Sequence, residues 1–576
     1  MTKNLIEKNV LFVESDYSID KVIRLMSNSS QKVKFPGIAI VIDKKLSLQG
    51  LVTDGDIRRA YTNNVDFNLP IGEIMIKNPI TLDLNYNEEN VTKNLYKKIK
   101  NTERLKTKKL RFVPVLDKNK RVIRILDYSE IYNIENQENN KIAIFGMGFV
   151  GLTLAASLSN RKFDVKGIDN NINLINDLKE NKIKIHEPGL NEMVSLMQTI
   201  KKLSFDVELR NSKNNIYIIA VGTPVNKITN KPEFKSLDSV VKSIGLYLKK
   251  DDIVILRSTV AVGTTRKRVI PVLEELSKLK VGKDFHISFC PERTIEGNAL
   301  DELNNLPQII GGFSKMCELK SSIFWSKLTP TVIKVNSLEA AELVKLANNT
   351  FRDLSFAFSN NLSILCDKYN INAHELISFA NTGYQRNPIP SPSPGVGGYC
   401  LTKDPYIYDS SFDEGIKIPK LGEISRKSNE VALNYPITVL NRFSKNIKKP
   451  LKDLKVSIIG IAFKGIPETN DLRESVSIEL INKLKSKVNK IFVWDAIISK
   501  DELIQKNLLF IENLDDHIEI SDALIFMNNH PKNRKINFLK KFKKELLIFD
   551  GWGQFDYREL EKIKGITYST MGYITD

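Results

Sequence analysis

The stretch Lys141-Ile142-Ala143-Ile144-Phe145, followed at once by Gly146-Met147-Gly148-Phe149-Val150-Gly151, constrains the fold of this chain more than any other. The first five residues read as a buried strand, and Phe149 to Leu158 reads as a helix. A strand, a glycine-rich turn and a helix in that order build the first unit of a dinucleotide-binding sheet. Gly146 makes the tight turn, Gly148 lets the backbone meet a pyrophosphate, and Gly151 lets the helix pack close to the sheet. Phe149 and Val150 open the helix, whose N-terminal NH groups and dipole favour phosphate. A second strand ends at Asp169, about 20 residues on, where an acid accepts from ribose hydroxyls. Asn170 and Asn171 follow it instead of an arginine, which favours NAD over its 2′-phosphorylated form.

The alternation of strand and helix continues. Strand candidates at 165–168, 216–221, 253–257 and 286–289 follow the first one, and a second series at 456–459, 490–494, 523–527 and 546–550 fills the C-terminal part. Such alternation predicts parallel sheets covered on both faces. Between the two series, Leu338, Ala341, Leu343, Val344, Leu346, Ala347, Phe351, Leu354 and Phe358 recur at helical spacing, and the pattern runs on through Leu362 and Leu365. One helix of about 30 residues is expected, long against the usual ~8–20. Helices of that length often span two domains or form a dimer interface.

A polar run, Asn133-Ile134-Glu135-Asn136-Gln137-Glu138-Asn139-Asn140, reads as a domain boundary. Ahead of it two similar units stand in tandem. Ile38-Ala39-Ile40-Val41-Ile42-Asp43 precedes Leu51-Val52-Thr53-Asp54-Gly55-Asp56-Ile57, and Phe112-Val113-Pro114-Val115-Leu116-Asp117 precedes Val122-Ile123-Arg124-Ile125-Leu126-Asp127. Neither half can bury its face alone, so the pair should pack as one pseudo-symmetric module. The 576 residues thus divide into an α+β module (1–135), a dinucleotide-binding domain (141–335), a helical region (336–440) and a smaller α/β domain (451–576). The fold class is α/β: two Rossmann-like, doubly wound parallel-sheet domains joined by a long central helix.

The formal net charge is +18, but the lysines are spread along the whole chain. A nucleic-acid surface would concentrate them on one element, so no nucleic-acid partner is expected. A diffuse basic field does attract phosphorylated anions. The four cysteines, Cys290, Cys317, Cys366 and Cys400, match neither a zinc pattern nor a disulfide framework. No metal is expected, and a reducing, cytoplasmic setting is. The N-terminal residues lack the apolar core of a signal peptide, and no apolar run approaches the ~18 residues of a membrane span.

The chemistry concentrates in Gly395-Val396-Gly397-Gly398-Tyr399-Cys400-Leu401-Thr402-Lys403-Asp404-Pro405. A glycine-rich turn brings the backbone close to a ligand; a thiol follows it, and a carboxylate lies four residues on. A nicotinamide cofactor together with a nucleophilic thiol suggests an oxidation through a covalent thioester. The bland alternative for Cys400 is a buried structural thiol. Lys345 and Asn349 are four residues apart on the long helix, hence on one face. Together they can stabilise oxyanion character.

From Lys141 to its end the chain resembles the UDP-glucose/GDP-mannose dehydrogenase family. The resemblance rests on Gly146 to Gly151, Glu187-Pro188-Gly189-Leu190, Val221-Gly222-Thr223-Pro224, Ser258-Thr259-Val260, Pro291-Glu292-Arg293-Thr294-Ile295-Glu296-Gly297, Glu342-Leu343-Val344-Lys345, Gly397-Gly398-Tyr399-Cys400 and Phe463-Lys464, which stand in the family's order. It implies oxidation of the C6 alcohol of a nucleotide-linked hexose to a carboxylate with two NAD. On that ground Cys400 is the nucleophile and Lys345 and Asn349 the oxyanion pair. Asp404 positions or deprotonates water, Glu296 assists thioester hydrolysis, and Thr259 holds water. Thr223 joins Gly146, Gly148, Phe149, Val150, Gly151, Asp169 and Thr259 at the cofactor. Glu292, Arg293, Lys345, Gly397, Gly398, Phe463, Lys464 and Arg473 are expected at the substrate, with Lys464 and Arg473 suited to phosphate. Two positions depart from the family pattern: Trp552 stands near a usual arginine, and Asn360-Asn361 replaces an Asn-Glu pair.

Pro291-Glu292-Arg293 and Gly395-Val396-Gly397-Gly398 look like the branch that oxidises UDP-N-acetylhexosamines (mannosamine or glucosamine), whereas Lys403-Asp404 looks like the UDP-glucose branch. The first is favoured and UDP-glucose comes second, the product being a uronic acid for a surface polysaccharide. Residues 1 to about 132 resemble a CBS domain pair, in which Thr53 and Asp56 would hold an adenine nucleotide; Asp127-Tyr128-Ser129-Glu130 looks like a degraded second site. A homodimer or larger homo-oligomer is expected from the long helix. The competing readings are a nucleotide-sensing protein with an inactive dehydrogenase core and an assembly scaffold.

Overall fold

Asp43 and Asp117 close the same turn twice. In a computed structural model of the chain, which describes residues 10–29, 33, 37–83, 112–127, 141–210, 214–386, 388–412, 415, 417–539 and 545–575, the first unit holds two three-stranded sheets of matching order. One contains β1 (Leu11–Glu14), β2 (Ile38–Ile42) and β3 (Leu48–Thr53); the other contains β4 (Leu82–Asp83), β5 (Phe112–Leu116) and β6 (Val122–Asp127). In each, the first pair is parallel and the second antiparallel. The register shifts at Val41/Ile42 in one and at Val115/Leu116 in the other.

In both hairpins the aspartate Oδ1 accepts two backbone N–H groups. Lys45 and Ser47 donate at 2.8 and 2.9 Å, and Asn119 and Arg121 at 2.8 and 2.9 Å. Ile38, Ile40 and Leu51 share one core with Phe112, Val122 and Ile125. The tandem repeat expected from the sequence therefore packs as one body. Tyr128, Ser129, Glu130 and the linker from Asn133 to Asn140 lie outside the described residues.

Thr53 and Asp56 sit at the start of α1 (Asp54–Thr62). Asp56 is buried. Its Oδ2 accepts the Thr53 N–H at 3.0 Å and the Thr53 hydroxyl at 2.7 Å, while Arg59 donates to Oδ1. The pair expected to hold a nucleotide is here engaged in fixing the helix start, which leaves Thr53 no free hydroxyl proton.

The second unit spans Asn140–Asp576. Its first sheet has eight strands in the order β14-β13-β12-β11-β10-β7-β8-β9. They are β7 (Lys141–Phe145), β8 (Asp164–Ile168), β9 (Leu203–Asp206), β10 (Ile216–Ile219), β11 (Ile253–Leu256), β12 (His286–Phe289), β13 (Gln308–Gly312) and β14 (Val332–Val335). The expected parallel sheet is present with one exception: β13 runs antiparallel to β12. The chain between them carries only a seven-residue helix, Ala299–Asn305, and returns along the same edge without a full crossover.

The second sheet has seven strands in the order β17-β16-β15-β18-β19-β20-β21: β15 (Lys455–Ile459), β16 (Lys490–Trp494), β17 (Leu509–Phe510), β18 (Ala523–Phe526), β19 (Leu546–Asp550), β20 (Ile566–Thr570) and β21 (Tyr573–Ile574). Each sheet reverses its strand order once, between β7 and β10 and between β15 and β18, and ligands of such sheets bind in that crevice. Between the sheets runs α3 (Leu338–Asp367), 30 residues long as the spacing predicts; α2 (Phe149–Asn160) is the helix of the glycine-rich turn.

α3 has two apolar faces. Leu338, Ala341 and Leu346 are buried, while Phe351, Phe358 and Leu365 are 74, 58 and 56% exposed. The helices that follow include α4 (Asp404–Asp409) and α5 (Leu421–Ala432), and α5 packs along α3. Among the described residues no helix is long and apolar enough to cross a membrane.

Candidate active site

A cleft of 960 Å³ opens between the C-terminal ends of the first sheet, α3 and the first loops of the second sheet. That is at the upper end of ordinary ligand sites. On one wall β7 ends in the fingerprint turn. Gly146 donates its N–H to Ile168 O at 2.8 Å, and Met147 donates to Asp169 Oδ2 at 2.8 Å. A Cβ added to Gly151 would lie 1.7 Å from Gly146 O, so only glycine lets α2 pack here. At Gly148 no atom lies within 4 Å of that position, which leaves the backbone open to a ligand. An open N–H cradle at the N-terminus of α2 fits a dinucleotide pyrophosphate. Gly146, Gly148, Phe149, Val150, Asp169, Thr223 and Thr259 all line the cleft. Gly151 lies behind them. The Thr223 hydroxyl donates to Thr259 O and joins the loops after β10 and β11.

The opposite wall carries the thiol. Gly397, Gly398, Tyr399 and Cys400 line the cleft with Lys345, Asn349 and Lys403. Burial pushes the Cys400 thiol up; Lys345 and Lys403 oppose this, and Asp404 and Glu296 add to it. Solvent nevertheless reaches Cys400 through the open cleft. The rise therefore comes from atoms crowded around the sulfur and not from full enclosure, and water in the cleft moderates it. The other cysteines are buried, and none of them lines the cleft.

Asp404 departs from expectation. It is fully buried and lies behind the cleft wall. Its Oδ2 accepts from the Asn349 amide at 2.5 Å, and its Oδ1 accepts from Lys403 Nζ at 2.6 Å. Set behind the wall, it ties α3 to the thiol turn through Asn349 and Lys403.

Glu296 is the cleft's candidate base. Burial and Asp471 push its carboxyl up, against Arg473 and Lys464, to about 7. Arg473 donates to Glu296 Oε1 at 3.1 Å, Thr469 donates to Oε2 at 3.3 Å, and Lys464 Nζ donates to the Glu296 carbonyl at 2.7 Å. Arg473, expected at a phosphate, is thus bonded to Glu296 and to Asp471. Burial, with a contribution from Arg352, lowers Lys464 to about 8.

Glu292 and Arg293 also line the cleft, but both are held by protein. Burial opposes the charge on Glu292, yet Arg257 beside it, with help from Thr294 N–H and Lys345, holds its carboxyl below the usual range. Arg257 is itself buried and also donates to Gln308 Oε1 at 2.9 Å. Arg293 directs its guanidinium to the carbonyl of Pro307. Phe463 completes the wall.

Sequence reasoning missed the support beneath the thiol turn. Asp353, fully buried on α3, accepts from Ser425 at 2.6 Å, Arg426 at 2.8 Å and Asn429 at 2.9 Å on α5. Arg426 reaches on to the Val396 carbonyl at 3.1 Å. Asn360 accepts Ser393 N–H at 2.8 Å and donates to Asn429 at 2.9 Å. A usable signal existed: Lys345, Asn349 and Asp353 recur every fourth residue on one helix face. Of the two departures from the family pattern, Trp552 donates its indole N–H to Met527 O at 2.9 Å, away from the cleft wall. Asn361 is exposed, with only a 3.4 Å contact to Ser428.

A dinucleotide cradle facing a thiol and an ammonium across one cleft defines an NAD-dependent dehydrogenase. Comparison with known proteins makes the assignment specific. Models of the UDP-glucose/GDP-mannose dehydrogenase family match three stretches: the NAD binding domain at 140–328, the central domain at 339–431 and the UDP binding domain at 457–557. A CBS domain model matches residues 2–63. The UDP-N-acetyl-D-mannosamine dehydrogenase of Campylobacter jejuni is 35% identical over 361 residues, which are 60% of this chain and 84% of that protein. The solved structure of UDP-D-ManNAc dehydrogenase from Pyrococcus horikoshii superposes with a TM-score of 0.68 at 26% identity, over 75% of this chain and 99% of that one. That of UDP-N-acetyl-mannosamine dehydrogenase from Staphylococcus aureus does so with 0.64 at 28%, over 75% and 98%. The chain belongs to the UDP-glucose/GDP-mannose dehydrogenase family.

Proposed function

We propose that this chain oxidises the C6 alcohol of a UDP-N-acetylhexosamine, with UDP-N-acetylmannosamine the first candidate, to the uronic acid. The observation that carries this reading is the shared cleft, in which Cys400 and Lys345 stand together with the open turn at Gly148. NAD supplies the acceptor for two hydrides in succession. In the first oxidation the hydride leaves C6 and the hydroxyl proton passes to water in the cleft, which leaves an aldehyde. Cys400 Sγ adds to it as the thiol proton passes through cleft water to the former carbonyl oxygen, and the Lys345 ammonium stabilises the oxyanion character of the resulting thiohemiacetal. Loss of a second hydride leaves a thioester. Glu296, with a pKa near neutrality, takes a proton from water as the water attacks. The carboxylate leaves and the thiol is restored.

Phe463, Lys464 and the second sheet's crevice would hold the UDP moiety. The names of the relatives favour the N-acetylmannosamine substrate over UDP-glucose, in line with Pro291-Glu292-Arg293. A cytoplasmic setting and use of the product in a surface polysaccharide complete the proposal. The exposed stripe of Phe351, Phe358 and Leu365 supports a homodimer through α3. At the N-terminal module an adenine nucleotide would have to draw Asp56 from Arg59; a thermal-shift series with AMP and ATP, repeated on Asp56→Ala, tests this. For the enzyme, the test is NADH release from purified protein with UDP-N-acetylmannosamine, UDP-N-acetylglucosamine and UDP-glucose. Two NADH per sugar are expected with the first, and no turnover with any of the three ends the reading.

A further inference from the structure

Tyr399 stands one residue before the thiol, and neither the family match nor the reaction above gives it a task. Its ring is gripped by two cations: the Arg473 guanidinium lies 4.9 Å and Lys403 Nζ 5.2 Å from the centroid. Each cation is fixed in turn. Arg473 is tied to Asp471 at 2.6 Å and Lys403 to Asp404 at 2.6 Å. The ring is therefore oriented without help from its hydroxyl. Among the described residues that hydroxyl has no hydrogen-bond partner of its own, and it points across the cleft toward Gly222. A Cβ added to Gly222 would lie 3.0 Å from it.

The position of Gly222 identifies what the hydroxyl faces. It follows β10, the strand on the far side of the switch point from β8. Asp169, at the end of β8, marks the adenosine side. A dinucleotide whose pyrophosphate rests at Gly148 must send its other half over β10, past Gly222 and Thr223. Burial holds the Tyr399 phenol above its ordinary range, so it remains a donor at neutral pH.

We infer that Tyr399 is the chain's contact for the nicotinamide ring: its hydroxyl donates to the carboxamide and sets the spacing between that ring and Cys400. This rests on the dehydrogenase reading of the cleft. The contact differs from those expected of the fingerprint turn, which touches the pyrophosphate and the adenosine end. It also explains why residue 222 is a glycine, since a side chain there would displace the phenol.

The test is calorimetric binding of NAD and of ADP-ribose, which lacks the nicotinamide, to the full chain and to Tyr399→Phe and Tyr399→Ala. ADP-ribose serves as the control for folding, because every part of its site except the nicotinamide end is retained. Tyr399→Phe should weaken NAD about three- to tenfold, the loss of one hydrogen bond, and leave ADP-ribose unchanged; Tyr399→Ala should weaken NAD further. Unchanged NAD binding in both variants, equal weakening of both ligands, or weakening confined to the UDP-sugar overturns the inference. Normal NAD binding by the parent chain without oxidation of any UDP-sugar would instead count against the proposed function, and the Tyr399 result would stand on its own.

Discussion

Asp353 and Arg426 stand 2.8 Å apart in the interior, one on each of two packed helices, and the same guanidinium holds the Val396 carbonyl of the thiol turn at 3.1 Å. The pair acts through the backbone of the turn that carries Cys400. Lys345, Asn349 and Asp353 on one helix face thus set ammonium, anchor and turn in fixed relation.

Removal of one partner strands a buried charge. Arg426→Met should cost roughly 3–5 kcal/mol of stability, read by denaturant unfolding. The double variant Asp353→Leu/Arg426→Met should regain most of that, because an apolar pair of similar volume can replace a buried ion pair. It still lacks the Val396 contact, so its kcat should remain on the order of 10²-fold low, as for a small misplacement of reacting groups. Full activity in the double variant would show that the pair serves stability alone.

The base assignment predicts a pH profile. Glu296 works only when ionised, and its carboxyl is pushed up to about 7. The rate of uronate formation should rise with pH through that value and level off above it. In Glu296→Gln the rate should be low and the limb near 7 absent. A limb that persists in the variant belongs to another group.

Two buried histidines and one half-buried one make the fold sensitive to acid. Burial lowers His286, His374 and His517 each to about 4, against about 6.5 when unfolded. Between those values the unfolded chain binds more protons, so stability rises with pH across the window and falls as pH drops from 6.5 toward 4. Each contributes up to roughly 3 kcal/mol. Asp252 and Glu296, raised by burial to about 6 and about 7, oppose them below those values, two carboxyls against three imidazoles. Denaturant midpoints should fall between pH 7 and pH 5, and His517→Gln should reduce the slope. An unchanged midpoint over that interval would contradict the assignment.

Exposed Phe351, Phe358 and Leu365 recur at seven-residue intervals on α3. Phe358→Glu with Leu365→Glu should shift the protein from dimer to monomer in sedimentation velocity. A monomeric parent chain would contradict the dimer, and a variant that stays dimeric would place the contact elsewhere.

Much of this was legible in the sequence, for identifiable reasons. The Gly146 turn was readable because close backbone approach demands glycine at set positions, and α3 because its apolar spacing persists for eight turns' worth of residues, Leu338–Asp367. The second sheet repeats the same turn: Gly460 donates to Trp494 O at 2.8 Å and Ile461 to Asp495 Oδ2 at 2.7 Å. It was not legible because Gly460-Ile461-Ala462 lacks the further glycines. Strands β9, β13, β14, β17, β20 and β21 escaped notice because β17 and β21 are two residues long and the other four mix polar residues or glycine with their apolar ones. The tasks of Asp404 and Arg473 could not be read at all, since the partners of a charged side chain depend on tertiary placement. Asp404 meets Asn349 across 55 residues, and Arg473 meets Glu296 across 177.

The central claim is a covalent sugar adduct on one sulfur, and mass spectrometry reaches it directly. Glu296→Gln protein, mixed with NAD and UDP-N-acetylmannosamine and quenched in acid, should yield a Cys400 peptide carrying the oxidised nucleotide sugar, released by hydroxylamine. Cys400→Ala should give neither adduct nor uronate. Uronate formed by Cys400→Ala at the parent rate would contradict the account.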